Sequence, residues 1–481
     1  MKWLMLLRIS ALTLGIAVPM MLPAFGMALV SGEFLLIRAF AIPLGITLAC
    51  ALPAFWAYKK TRFQFGQQDG FFLVFLTWIG ISLLGAFPYY LAGQGISFTD
   101  AVFESACGFA TTGASTFSDV ERLPYVLLFW RSTTHWFGGM GIILLTVALM
   151  PLMGVGGFQL IKAETPGPEK EKITPKITAT AKILWLVYCG LTLILFLLYL
   201  LGGMSGFDAI CHAFTTMATG GVSTKNKGLS FYDSPFIDLI STVFMLLAGL
   251  NFNLYVRVLT GTFKDLWHNS EARAYLLIFS IASGLITLSL VQVYGSVGRA
   301  ARYGVYQTAS ILSTTGAVIT DYAAWPSFAQ GILFILMFIG GCSGSTAGGI
   351  KVIRHVVLWK QAGNELRRLI YPQGVFSVQL NRKVGRKDVV YGVAGFGFLY
   401  LMVIAATTLM TAASGIELSS AFSAAISVTG NIGVGFGVIG PCGTYGAFPD
   451  HIKWIFSLVM IAGRLELWTV FVLFSPEYWR R

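Results

Sequence analysis

Long apolar stretches alternate with short polar ones along this chain, and the apolar stretches come in two lengths. The long ones run near residues 9–31, 34–57, 70–92, 124–150, 180–202, 235–262, 274–296, 327–350, 390–413 and 452–475. A helix needs about 20 mainly apolar residues to cross the hydrocarbon core of a bilayer. The pattern therefore predicts ten spanning helices. After the first two, the long stretches form pairs. Between the members of each pair lies a shorter apolar stretch that cannot cross at 1.5 Å per residue but suits a re-entrant half-helix. Each short stretch runs into a knot of small polar residues: "ATTGAST" from Ala110, "MATGGVST" from Met217, "STTGAVITD" from Ser313 and "SVTGNIGV" from Ser427.

Aligned on Gly113, Gly220, Gly316 and Gly430, the knots share a small residue seven positions earlier, namely Ala106, Ala213, Ala309 and Ser423. The period is too long for a solenoid. Four like units in one chain can instead surround a common axis, as four subunits would. The expected fold is an all-α polytopic membrane protein with two N-terminal helices over 1–66 and four pseudo-repeated helix–pore-loop–helix units around a central pore. The units are assigned to 67–160, 161–265, 266–360 (with an intramembrane gating loop) and 361–481, the second and fourth beginning with linkers.

Composition sharpens this. The chain is 56% hydrophobic and only 11% charged, against about 25% charged in an ordinary soluble domain. A water-soluble core is excluded. The net charge of +12 does not mark a nucleic-acid surface, because the basic residues are spread between apolar segments. Lys2, Arg8, Lys59, Lys60, Arg62 and the linkers between units hold most of them, which places both termini and these linkers in the cytoplasm. The knots then enter from outside. The first apolar run resembles a signal peptide, but no A-x-A site follows and it is read as a retained helix. Six scattered cysteines and no His cluster offer no zinc or iron–sulfur site. No P-loop, G-x-S-x-G or H-E-x-x-H occurs, so an enzyme reading has no starting point.

A Thr-Gly knot at membrane depth is tolerated where protein buries it or where it lines a watery cavity. Glycine permits positive φ and turns carbonyls to one side. Four such loops around one axis yield rings of carbonyl oxygens that can replace a cation's hydration shell, and the preceding short helices aim their negative C-terminal ends at the same place. Helix-packing motifs are the bland alternative, disfavoured by fourfold repetition. The glycine-rich run "IGGCSGSTAGGIKVIR" from Ile339 breaks the eighth span, either as a movable gate or as a kinked, closely packed helix. Arg464 in "GRLELW" faces the pore as a positive barrier or pairs with a carboxylate on a neighbouring helix. Asp100 and Glu104 concentrate cations at the mouth or are solvated loop charges. His135 is a packed residue or a proton relay.

Taken with "WFGGMGIILL", "AETPGPEK" and "YDSP", these motifs resemble, in order and over nearly the whole chain, the Trk/Ktr/HKT superfamily, and within it the TrkH/TrkG-type membrane subunits of bacterial potassium uptake systems. The resemblance implies potassium uptake across the inner membrane through a filter of backbone carbonyls at Thr111, Thr112, Thr219, Gly220, Thr315, Gly316, Gly430 and Asn431, with Gly113 and Thr429 adjoining. It implies a gate at Gly340, Gly341, Gly344, Ser345, Thr346, Gly348 and Gly349, a pore-lining Arg464, a homodimer, and a TrkA-type cytosolic nucleotide-binding regulatory subunit. Potassium is the substrate and no cofactor is implied. In plant relatives a serine at the first filter glycine goes with sodium transport; Gly113 favours potassium. The fourth knot is the most divergent. A secondary transporter coupled to protons or sodium is the alternative function. The basic linker from Lys351 to Lys387 is expected either to dock the cytosolic partner or to carry positive-inside charge alone.

Overall fold

The computed structural model describes residues 10–58 apart from 12 and 16, 67–153, 177–261, 267–381, 383–384 and 387–480. Lys2, Arg8, Lys59, Lys60, Arg62 and the "AETPGPEK" linker lie outside the described residues. Regular structure among the described residues is helical, save one two-residue antiparallel ladder, Gln379–Leu380 against Lys383–Val384, in the linker before the last unit.

All ten expected spans have a counterpart, but not all are straight. Five described helices are long and apolar enough to cross a membrane, for example Phe34–Ala54 and Ala181–Leu201, and up to seven if two bent pairs each count as one. The first and eighth expected spans are shorter apolar helices, Ala17–Ser31 and Ser327–Leu336. The fourth is the helix Tyr125–Met153. Two spans that the pattern predicts as continuous are broken: Pro235–Gly249 turns by 96° into Phe252–Leu259, and Asp450–Arg464 turns by 113° into Leu467–Phe474. The breaks fall at Leu250–Asn251 and at Leu465–Glu466, where Asn251 caps the second piece through its side chain and Glu466 takes φ 64°.

Four short helices carry the organisation: Phe98–Phe109, Gly206–Met217, Val297–Leu312 and Leu418–Gly430. The first two start on a local signal. Ser97 Oγ accepts from the Asp100 amide at 3.0 Å and Ser205 Oγ from the Asp208 amide at 3.1 Å, the serine–acid pattern of a capped N-terminus. The first short helix packs on Gln67–Leu91 and Tyr125–Met153 of its own unit and on Asp450–Arg464 of the last. The second leans on Tyr125–Met153 and the third on Pro235–Gly249. Phe422 of the fourth meets Phe334 of the third unit at 5.9 Å. Each short helix thus packs on the unit before it, and the last unit closes on the first. The N-terminal pair is attached to the first unit through buried Trp130, whose ring stands edge-on to Phe40 and whose indole N–H donates to the Gly85 carbonyl at 3.1 Å.

Candidate functional site

All four short helices end in the same way. At each C-terminus one non-glycine residue turns left-handed: Thr111 (φ 54°), Thr219 (φ 55°), Thr314 (φ 56°) and Asn431 (φ 53°). The next residue donates its amide back into the helix, Thr112 to Cys107, Gly220 to Thr215, Thr315 to Ser310 and Ile432 to Ser427, at 2.8–3.0 Å. A glycine with positive φ then follows in each loop, namely Gly113 (82°), Gly221 (62°), Gly316 (72°) and Gly433 (86°). β-Branched residues rarely adopt this backbone, so its recurrence at matching positions defines the true register of the repeat.

That register corrects two alignments made on the sequence. Gly430 is the last residue of its short helix and Thr429 precedes it within that helix, so neither matches the first-unit pair Thr112 and Gly113. The fourth-unit equivalents are Ile432 and Gly433. Gly220 stands in the place of Thr112, and the equivalent of Gly113 is Gly221. Gly113, Thr315 and Gly316 keep their assigned places, while Thr111, Thr219 and Asn431 share the left-handed position with Thr314, which sequence reasoning omitted. A serine-threonine-threonine run hides which threonine turns. A Thr-Gly dipeptide in every knot drew the alignment to Gly220 and Gly430.

The four left-handed glycines form a closed ring. A Cβ on Gly113 would overlap the carbonyl oxygen of Gly220, and one on Gly221 that of Thr315. Likewise Gly316 faces the Ile432 oxygen and Gly433 the Thr112 oxygen. Each unit's glycine therefore abuts the next unit's carbonyl, around to the start. Asn431 ties the ring across this seam, its Nδ2 donating to Thr112 Oγ1 at 2.9 Å and to the Met460 carbonyl at 3.0 Å.

Directly beneath lies the glycine-rich segment, non-helical over 337–351. This is a loop, not a kinked helix. It is held on all sides. The Gly348 amide donates to Thr314 Oγ1 at 2.6 Å, Cys342 to the Gly249 carbonyl at 2.8 Å, and Phe252 to the Gly344 carbonyl at 3.0 Å. Thr346 Oγ1 donates to the carbonyl of Met217 or of Ala248, at 3.1 and 3.2 Å. Glu271 Oε1 accepts from the amides of Ser343 and Ile353, at 2.6 and 3.1 Å, and so grips both stems. Gly340, Gly341, Gly344, Ser345, Thr346, Gly348 and Gly349 all fall within this loop. Gly344 and Gly349 have positive φ.

Arg464 is buried and reaches across to the loop. Its guanidinium donates to the carbonyls of Thr346 (2.5 Å), Gly138 (2.9 Å) and Gly139 (2.8 Å). It pairs with no carboxylate among the described residues, which removes the structural ion-pair reading. Glu466 instead pairs with Arg354, whose guanidinium lies 3.7 Å from the centre of the Phe396 ring. A cavity of about 80 Å³ beside the loop is lined by Gly348, Lys351, Phe396, Tyr400, Arg464 and Glu466.

In the first unit, Asp100 bonds Lys453 at 2.7 Å and Glu104 bonds Arg131 at 3.2 Å. Glu104 is 1% exposed. It is neither a mouth charge nor a solvated loop residue. His135 is buried against Gly220, a Cβ on which would overlap the imidazole Nδ1, and that nitrogen has no hydrogen-bond partner among the described residues. Its position is that of a packed residue, wedged behind the second loop. The loops after the short helices of the first two units are joined by Asn226, which donates to Asp119 Oδ1 at 2.8 Å and holds that carboxyl below its usual range.

A multi-pass membrane protein with four short-helix–loop units closed into a ring is the class this fold and site define. The family model described as TrkH, cation transport protein, matches residues 37–481. The Trk system potassium uptake protein TrkH of Escherichia coli (strain K12) is 38% identical over 430 residues, covering 88% of this chain and 89% of its own length. TrkG of the same strain is 35% identical, covering 88% and 87%. The crystal structure of the potassium transporter TrkH from Vibrio parahaemolyticus superposes over 100% of both chains with a TM-score of 0.87 and 35% identity. The chain belongs to the TrkH family of cation transport proteins.

Proposed function

We propose that this protein takes up potassium through the glycine ring and that the 337–351 loop gates the path. The observation that carries the reading is the ring itself, in which four left-handed glycines bring each unit's loop against the next unit's carbonyl oxygen. Oxygens of residues 111–113, 219–221, 314–316 and 431–433 coordinate the dehydrated ion. Thr429 and Gly430 shape the approach to the fourth loop from within the helix. The short helices end at the ring and favour a cation there. A membrane potential of 100 mV contributes about 2.3 kcal/mol per charge moved inward, which drives uptake without a proton relay.

In this reading the gating loop, lodged under the ring and tethered by Arg464, blocks the inner exit until it moves. The domain division is the two N-terminal helices followed by four pore units. The protein works as a homodimer in the bacterial inner membrane, termini in the cytoplasm, under control of a cytosolic TrkA-type nucleotide-binding subunit docked on the helix Val352–Ile370. That helix directly follows the gate and ends on Arg367 and Arg368.

The test is rubidium uptake into proteoliposomes loaded with potassium chloride, with sodium or potassium as external competitor. Competition by potassium alone supports the reading. Equal competition by sodium sinks the selectivity claim. Uptake that follows an imposed proton or sodium gradient at zero potential favours a coupled transporter instead.

A further inference from the structure

Two positions recur behind each loop, seven residues before the left-handed residue and four after it. In the first unit they are Glu104 and Ser115, and in the second His212 and Ser223. Both pairs are hydrogen-bonded. Ser115 Oγ donates to Glu104 Oε1 at 2.8 Å, and Ser223 Oγ lies 2.9 Å from His212 Nε2. His212 Nδ1 is 2.7 Å from the Asp208 carbonyl, which accepts only, so Nδ1 carries the proton and Nε2 accepts from Ser223. In the third unit the positions hold Gln307 and Val318, and neither amide atom of the buried Gln307 has a partner among the described residues. In the fourth they hold Ala424 and Gly435. At these two positions the side chains thus bond each other in the first two units but not in the third or fourth, whose loops are strapped elsewhere, by Ser310 Oγ on the Ala317 carbonyl at 2.6 Å and by the Phe436 amide on Ser423 Oγ at 2.7 Å.

Glu104 does more than its counterparts. The same Oε1 accepts from the Thr116 amide at 2.6 Å and from Thr116 Oγ1 at 3.2 Å. Its Oε2 accepts from Arg131 Nε at 3.2 Å, and Arg131 Nη1 continues to the Ser223 carbonyl at 3.4 Å. One buried carboxylate therefore grips the first loop directly and the second through Arg131. A buried ion pair seldom adds net stability over apolar residues of the same volume, so what this pair supplies is geometry. Arg131 balances the charge, which leaves the field at the ring to the carbonyls.

We infer that Glu104, acting through Arg131, is a positioning residue for ion selection that sets the spacing of the first two loops. The inference rests on the filter reading above. Glu104→Gln keeps the shape and an oxygen acceptor for Ser115 and Thr116, but turns an N–H donor toward the Arg131 guanidinium and breaks the link to the second loop.

The purified full-length chain is unfolded thermally in potassium and sodium chloride series held at constant ionic strength with choline chloride. A cation that binds only the folded state raises Tm by mass action, whether or not the gate opens. Potassium is expected to stabilise the wild type at concentrations about tenfold below sodium, a difference of about 1.4 kcal/mol in binding. Glu104→Gln should bring the two ions within about threefold of each other, and Glu104→Asp should restore the preference. A Gln variant that keeps the wild-type ratio overturns the inference, even where its Tm in choline is lower, because general destabilisation does not distinguish ions. If that variant is not recovered folded, Arg131→Lys, which keeps the charge but loses the reach to Ser223, is read by the same criterion. A wild type indifferent to potassium against sodium overturns the filter reading, and this inference with it.

Discussion

Threonine at φ near 55° is costly, about 1–3 kcal/mol for a residue held outside its ordinary wells. Three threonines adopt it here, and the fourth unit uses asparagine, which tolerates the left-handed region better. The surrounding helix end repays that strain by accepting the next residue's amide, and the result is a loop whose carbonyls share one direction. The glycine two positions on then has no freedom to change. Gly433→Ala places a methyl on the Thr112 oxygen at φ 86° and should reduce rubidium uptake by at least about tenfold. Gly430→Ala meets the Ile432 side chain and the Tyr400 hydroxyl, both at 3.2 Å, with an ordinary helical backbone. Its uptake should stay within about threefold of wild type. The reverse order of severity would return the filter to Gly430.

Among the elements, the 337–351 loop proposed as the gate is tethered from three different units. Arg464 bonds the loop at the Thr346 carbonyl and is braced by the Gly138 and Gly139 carbonyls of the helix Tyr125–Met153, and a hydrogen bond from a charged group contributes about 1.5–3 kcal/mol. Arg464→Ala should therefore raise basal rubidium uptake in the absence of any partner by about tenfold or more. Glu271→Gln loosens both stems and should raise it in the same direction while leaving the potassium-over-sodium ratio unchanged, since the Glu271 carboxylate is spent on the Ser343 and Ile353 amides. Equal leak in wild type and both variants would refute the gate. The bent spans belong to this scale too. The breaks at Leu250–Asn251 and Leu465–Glu466 bring Phe252 and Glu466 to the cavity beside the loop. Neither break carries a proline or glycine at the bend itself, so hydropathy alone reads straight through them.

At the scale of the whole molecule, closure depends on the last unit finding the first. The Lys453–Asp100 pair at 2.7 Å, the Tyr445 amide on the Ser115 carbonyl at 2.7 Å and the Asn431–Thr112 bond all cross that seam. Along Val352–Ile370, Trp359, Leu366, Leu369 and Ile370 are exposed beside Arg367 and Arg368. If a cytosolic TrkA-type subunit docks here as proposed, reversing both arginines to Glu should weaken its capture by at least about tenfold without changing Tm. Undiminished capture would leave these charges as topology signals only.

The chain's hydropathy by itself determined that this is a multi-pass helical membrane protein with four short apolar stretches ending in small-polar knots, because crossing length and the cost of bare backbone in lipid are properties of local sequence. The motifs carried the family. Only the tertiary structure decided the register of the ring, since Thr111, Thr219, Thr314 and Asn431 are matched by backbone conformation and not by residue type. It also decided the partners of Arg464 and Glu104. Each is a buried charge with many candidate partners: packing between units selects the Thr346, Gly138 and Gly139 carbonyls for Arg464, and the fold of the first unit brings the Arg131 guanidinium to Glu104.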